Sequence, residues 1–374
     1  MHSSKWKMTR GSILKERDLI DGKSLQTAAA SYFETTHHTS AKSFFDSLQQ
    51  TAFPERRKHD LLIYRGLGKS EYDLTPSLDR PEAEQWLFSG LGIPKPMLLF
   101  LRLGQFYLLA NDQGLPLPRL PSEIHQALMG TRHFPDNQFP SPDKITSWLD
   151  DELLELLAIA QHYGFKTPLL DWSRSPLIAM NFAVSGAIEH MKGFVRNNPS
   201  PPGDNSIYQK EGRKRLAVWV LNHTVCGTIS KAARGQADLH YDAQHEPFEI
   251  TLISPPTQSN ANIVAQKGCF TRHRPMLPHT RPTDGRFMPE HYDLKSAVYS
   301  NCKLVQETVM RDGDPFPTDA LSCHTLDYSK VLSLYQLLFR SDVHPSSLFP
   351  GFAGCAEEVQ RISDNALIAT KKWE

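Results

Sequence analysis

Cysteine is scarce in this chain. The five residues at 226, 269, 302, 323 and 355 stand far apart, with no Cys-x-x-Cys pair and an odd count. That argues against a disulfide framework and for reduced thiols in a cytoplasmic setting. Neither sign of charge prevails: 41 Lys and Arg stand against 41 Asp and Glu, with a sequence pI near 7.3. No net basic field draws the chain onto nucleic acid or an anionic membrane. No apolar run approaches the roughly 20 residues of a membrane span. The opening stretch MHSSKWKMTRGSILKERD holds no apolar core of a signal peptide. Sixteen histidines are present, yet no His-Glu-x-x-His and no Cys/His cluster point to a metal. Walker, Gly-x-Gly-x-x-Gly and Gly-x-Ser-x-Gly motifs are also missing, which speaks against P-loop, Rossmann and ordinary serine-hydrolase chemistry. YRGLGKS (64–70) echoes a phosphate loop, but its glycines stand too close together to cradle one.

What is there can build a core: 374 residues, 40% of them apolar. Helical spacing predicts helices over 25–34, 41–52, 81–110 and 325–340. The pattern SWLDDELLELLAIAQHYG predicts one helix over 147–164, with Leu149, Leu153, Leu156, Leu157 and Ala160 inward, Asp150, Asp151 and Glu155 in water, and Gly164 as its stop. Ser175-Pro176 opens a further, nearly all-apolar helix. LLIYRG (61–66), RLAVWVLNH (215–223), FEITLIS (248–254), NIVAQKGCFTR (262–272) and KLVQETVM (303–310) read as strands, and 111–142 as a loop. Strands and helices do not alternate regularly. The expectation is an α+β fold: a single domain over 59–374, with a central mixed or antiparallel sheet and long helical insertions, behind an N-terminal helical extension over 1–58.

The most informative run is QHYGFKTPLLDWS (161–173), where polar and aromatic residues crowd between two apolar helix patterns. Such groups either satisfy one another or face a ligand. His162 can cap helix carbonyls or act as an acid–base group near neutral pH. Gln161 and Tyr163 flank it, and Thr167 could cap the buried helix that follows or receive Arg65. Asp171, between Leu170 and Trp172, needs a partner if buried, and Arg65 at the end of its strand is the obvious candidate. Arg65 could instead hold a phosphate through its planar fork. Tyr64 reads as core packing. Trp172 reads as core or as a stacking surface, and Cys269 as a buried thiol.

The segments YRG, TPSLDR (75–80), QHYGFKTPLLDWSRSPLIAMNFA (161–183), AQKGCF (265–270) and SSLFPGFAG (346–354) resemble the FRG domain, in order and over most of 60–360. Relatives commonly carry QHHGLPTRLLDWT, so Pro168 stands here where Arg is usual; Lys166 or Arg174 could substitute. A strand ending in Tyr-Arg-Gly is also similar to the first strand of arginine-class ADP-ribosyltransferases. That second likeness implies an ADP-ribosyltransferase-like sheet, Arg65 as clamp for the NAD phosphates and ribose, and Gly66 as the point where backbone approaches nicotinamide. It also implies Gln266, on a later strand, as ribose partner. Together the likenesses imply catalytic roles for Arg65, His162 and Gln266. Tyr64, Gly66, Tyr163, Thr167, Asp171 and Trp172 would bind the nucleotide. No cofactor would be required, and NAD would be the substrate. The setting implied is a bacterial toxin or antiphage effector, with a protein target or partner. A non-catalytic module that binds a nucleotide or a partner through the same pocket stays open beside the transferase or NAD-cleaving enzyme. So does a loop whose polar residues merely satisfy each other.

Overall fold

A computed structural model describes residues 27–29, 31–52, 60–80, 93–133, 140–199, 205–237, 245, 247–255, 260–276, 293–308 and 318–374. Its centre is one seven-stranded sheet in the order β1-β7-β4-β2-β3-β6-β5. The strands are β1 (Thr35–His38), β2 (Leu62–Leu67), β3 (Leu170–Ser173), β4 (Arg215–Asn222), β5 (Phe248–Ile253), β6 (Gly268–Pro275) and β7 (Leu321–Asp327). β1 runs parallel to β7, and every other pairing is antiparallel. The expected α+β class with a mixed sheet is what the chain forms. Among the described residues no helix is long and apolar enough to cross a membrane.

The interior strand β4 is apolar almost throughout because helices cover both its faces. Leu216, Val218 and Val220 join one core; Ala217, Trp219 and Leu221 join the other. The first core is built with helices α1 (Ala41–Thr51), α6 (Pro176–Asn197), α7 (Ser206–Gly212), α11 (Val331–Arg340), α12 (Pro345–Leu348) and α13 (Phe352–Ala369). The second lies against α8 (His223–Ala237) and α10 (Leu294–Thr308). A third core gathers α2 (Lys95–Asp112), α3 (Ser122–Gly130), α4 (Pro142–Asp150) and α5 (Leu154–His162) beside the β5–β6 end of the sheet.

α6 lies directly on β2, and glycine makes this contact possible. A Cβ on Gly66 would stand 1.8 Å from the carbonyl oxygen of Ala179, and one on Gly68 would stand 2.5 Å from the carbonyl carbon of Gly186. The glycines of YRGLGKS are therefore packing residues, which explains their phosphate-loop look without a phosphate.

Several expectations are corrected. The helix over 147–164 is two helices, α4 and α5, broken at 151–153. The break lets Asp150 turn inward rather than to water. Its carboxylate accepts from Arg272 at 2.9 Å and meets Arg274 at 3.3 Å, with Asp150 and Arg272 both buried. The expected loop over 111–142 contains α3, which buries Ile124 and Leu128. The stretch 303–308 is the end of α10, not a strand. Leu294, Ala297, Val298, Leu304 and Val305 recur at helical spacing toward the core, and that face overrides the local β-branched run. The pattern over 325–340 begins as β7, and its helix starts only at Val331. NIVAQ (262–266) is not strand. Asn260 caps a short helix, α9 (Ala261–Ala265), by accepting from the Ile263 amide at 3.1 Å, and Gln266 ends it. Of the N-terminal extension only part is described: 27–29 and 31–32 are helical, and β1 follows. The first part of the helix expected over 81–110, residues 81–92, lies outside the described residues.

β1 is held to the sheet partly by a stacked pair of buried imidazoles, His38 Nε2 to His324 Nδ1 at 3.0 Å. Burial, reinforced by the neighbouring His38, pushes His324 down to about 4. The unfolded chain takes up these protons more readily than the folded one. Stability from the pair should thus be fully present above about 6.5, the ordinary value, and be lost as pH falls through about 4. Urea melts from pH 7.5 to 4 should show this loss, and His324→Gln should flatten it. Gly66→Ala should cost about 1–3 kcal/mol or more, because the added methyl meets helix backbone rather than a movable side chain. Thermal unfolding measures it.

Candidate functional site

The sheet is incompletely zipped at its middle. β2 pairs with β4 over six residues and β3 with β6 over four, but β2 and β3 share only Tyr64↔Ser173. Beyond that pair the strands part, and a hollow of about 520 Å³ opens between them. It is walled by β2, β3 and β6, the end of α5, α9, Phe182 of α6 and Phe349.

Arg65 spans the parting. Its Nη1 donates to the Asp171 carbonyl at 2.6 Å and to the Asp171 carboxylate at 2.8 Å. A side chain thus makes the cross-strand contact that the backbone ladder does not. The Arg65 side chain is 9% exposed, whereas that of Asp171 is 67% exposed, because it opens into the hollow. The expectation of a buried Asp171 is corrected: on β3, Leu170, Trp172 and Ser173 turn inward and Asp171 alone does not. Crowding by surrounding protein atoms opposes its ionisation. The Arg65 guanidinium outweighs that and holds the carboxyl below the usual carboxylate range, with Arg80 adding to the effect. Gln161 donates its amide to the same carboxylate at 3.3 Å and accepts from the Thr167 hydroxyl. A chain of contacts therefore runs Thr167–Gln161–Asp171–Arg65. The Arg65 Nε is sealed with no hydrogen-bond partner among the described residues.

His162 ends α5 and lines the hollow. Its imidazole has no hydrogen-bond partner among the described residues, so it caps no carbonyl there. Burial lowers its pKa and leaves it neutral at pH 7. Gln266 reaches the hollow from a turn, not a strand. Lys267 beside it takes a left-handed φ of 47°, and Ser173 Oγ donates to the Gln266 carbonyl at 2.8 Å. The Gln266 amide donates to the Leu348 carbonyl at 3.3 Å, which ties the wall bearing Phe349 to this turn.

Arg65, His162 and Gln266, drawn from three distant stretches, thus meet at one hollow. Tyr64, Gly66, Tyr163, Asp171 and Trp172 also reach it, and Thr167 does not. Thr167 is buried, where its hydroxyl also accepts from the Leu169 amide at 3.2 Å. Tyr64 is core, its hydroxyl 3.0 Å from Thr51 Oγ1. The Trp172 indole also packs in the core and donates to Thr271 Oγ1 at 2.8 Å. Gly66 is required by Ala179 of α6. Tyr163 is exposed, and its hydroxyl accepts from Asn260 at 3.3 Å. Cys269 lines the hollow as a thiol pushed up to about 11 by burial, so it is no ready nucleophile. Among the described residues no group of three or more His, Cys, Asp or Glu could hold a metal. Sequence reasoning missed Phe182 and Phe349. Phe349 stood in SSLFPGFAG, but nothing in that segment told its direction.

The family model of the FRG domain matches residues 60–192. That span contains Arg65, His162 and Asp171, and it ends before Gln266. No curated protein and no solved structure matches the chain.

A direct check of the site's electrostatics is the titration of His162 by NMR, assigned by loss of its signal in His162→Gln. It should titrate below the ordinary 6.5. An ordinary or raised value would mean that the imidazole is solvated or paired with acid.

Proposed function

We propose, on the premise that this chain carries an FRG domain, that the hollow between β2 and β3 binds NAD and serves cleavage or transfer at its nicotinamide–ribose bond. The observation that carries this reading is the shared hollow itself. An ionised carboxylate, a neutral imidazole and the three phenylalanines Phe182, Phe270 and Phe349 line one space of about 520 Å³, large enough for part of a dinucleotide. Nicotinamide joined to ribose is a flat cation. Aromatic walls suit a flat ring, and a fixed carboxylate suits its charge.

In the reaction the bond from ribose C1′ to the pyridinium nitrogen breaks, and its electron pair leaves with nicotinamide. Positive charge then builds on the ribose. Asp171, held in place by Arg65 and Gln161, stabilises that charge through a preorganised field. His162 accepts a proton from the attacking water or acceptor hydroxyl, which its neutral state permits. Arg65 acts here as a positioning residue, since its Nη1 is already engaged by Asp171. Gln266 shapes the wall and offers its amide oxygen to a ribose hydroxyl. Unchecked NAD consumption of this kind would make the chain toxic to the cell that holds it, which fits an effector role.

Incubation of the full chain with NAD should release nicotinamide, followed by chromatography. Asp171→Asn should lower the rate by about 10²-fold or more while the fold persists. The wild-type rate should fall as pH drops and His162 becomes protonated. NAD bound but left intact by the wild-type chain, with candidate acceptor proteins present, would assign the hollow to recognition without turnover. No binding at all would end the reading.

A further inference from the structure

The hollow between β2 and β3 has a neighbour. A second cavity of about 330 Å³ lies against it, and Arg65, Gln161 and Asp171 line both. These three residues form a partition. The two spaces differ in chemistry. The first is faced by Phe182, Phe349 and His162; the second is faced by Arg80, Lys166 and Ser77.

Charge in the second space is unbalanced. Arg65 pairs with Asp171 in the partition. Although Arg80 also feels that carboxylate, one acid stands against three cations in this lining, which leaves two positive charges in excess around Arg80 and Lys166. Neither forms an ion pair among the described residues. Asp79, next in sequence to Arg80, is taken by Lys95 at 3.0 Å. Arg80 Nε donates to the Thr75 carbonyl at 3.1 Å, which fixes one edge of its guanidinium and leaves the two terminal nitrogens for a ligand. A guanidinium fork and an ammonium make a suitable pair for phosphate oxygens, while the Ser77 hydroxyl beside them is engaged by the backbone of Thr167.

We propose that this annex binds the two phosphates of the same ligand whose cationic ring occupies the first hollow, so that the pair forms one bipartite site for a dinucleotide pyrophosphate. The identity of that ligand rests on the NAD reading above; the anion-binding character of the annex rests on Arg80 and Lys166 alone. The two negative charges of the pyrophosphate match the two unpaired cations. The ribose that joins ring to phosphates would pass over the exposed carboxylate of Asp171, which lines both spaces.

The test is calorimetric titration of the full chain with NAD, nicotinamide riboside and inorganic pyrophosphate, in wild type and in an Arg80→Ala/Lys166→Ala double variant whose thermal unfolding is checked. The double variant should bind NAD about tenfold to a hundredfold more weakly and lose pyrophosphate. Its affinity for nicotinamide riboside, which carries no phosphate, should not change. Wild-type affinity for NAD should fall with added salt, and Lys166→Arg should keep it. If the double variant melts early, Lys166→Glu at a partly exposed position carries the same comparison. NAD affinity equal in wild type and variant would overturn the annex and leave the NAD reading standing. Pyrophosphate held through Arg80 and Lys166 by a chain that ignores NAD would keep the anion site and overturn the bipartite ligand.

Discussion

One guanidinium crosses the gap that the sheet leaves between β2 and β3. Had the strands paired fully, backbone amides and carbonyls would have filled the space that is now the hollow. Arg65 instead supplies a single contact to the Asp171 carbonyl and one to its carboxylate, so the strands stay tied without closing. The arrangement is not optimal for stability. A nearly buried charge carries a large desolvation cost, and an Nε left without a partner adds about 1–3 kcal/mol. The Asp150–Arg272 pair makes the contrast. Both its members are sealed, and it locks a helix to the sheet with nothing left to face a ligand. In the Arg65–Asp171 pair one member is sealed and the other stays open to the hollow. That asymmetry separates a pair that holds a fold from one that presents a charge.

The surroundings then set two neighbouring groups to opposite states. Asp171 is held ionised by Arg65, while His162, with no acidic partner among the described residues, is held neutral by burial. A fixed negative charge and a free proton acceptor in one space are what environments that push pKa values apart provide. Neither state could be kept if the partition were loose. Gln161, fixed by Thr167 from behind, limits the motion of the carboxylate. The glycines of β2 seat α6 against the sheet and with it Phe182, one aromatic wall. Packing residues of the motif therefore act on the site through position, without touching a ligand.

Much of this was legible in the sequence, and the exceptions have physical reasons. β2, β4, β5 and the start of α6 were readable because strand alternation, a buried apolar run and a Ser-Pro start are local signals. The convergence of Arg65, His162 and Gln266 came from motif resemblance and not from periodicity, which cannot place residues 200 apart in one space. Asp150 was misread because an acid in a row of acids looks solvated until its arginines, far off in β6, are known. The stretches 262–266 and 303–308 look like strands because Ile and Val favour β structure, but an Asn cap in one case and a core-facing stripe in the other decide for helix. Thr167, Tyr64 and Trp172 show the same limit within the site. The family resemblance implied ligand contact for all three, although Tyr64 and Trp172 taken alone read as core. Each has a hydrogen-bond partner inside the protein, and no local pattern tells which side of a strand will be hollow.

The lining also constrains the kind of chemistry that the proposed reading allows. A covalent route would need a nucleophile, and the thiol that faces the hollow is held protonated by burial. Among the described residues that line the hollow Asp171 is the one acid, but its oxygens already accept from Arg65 and Gln161. Those contacts lower its basicity and hold it in place, which suits a stationary charge better than an attacking group. A fixed carboxylate stabilises a transition state in which the leaving bond is mostly broken and the sugar carries the charge. Attack then falls to water or an acceptor hydroxyl that His162 deprotonates. In that reading, whether water or a target side chain arrives would be decided by what can enter past exposed Tyr163 and half-buried Phe349. Hydrolysis and transfer would then share one site and one rate-limiting bond cleavage, and differ only in the second reactant that reaches the cation.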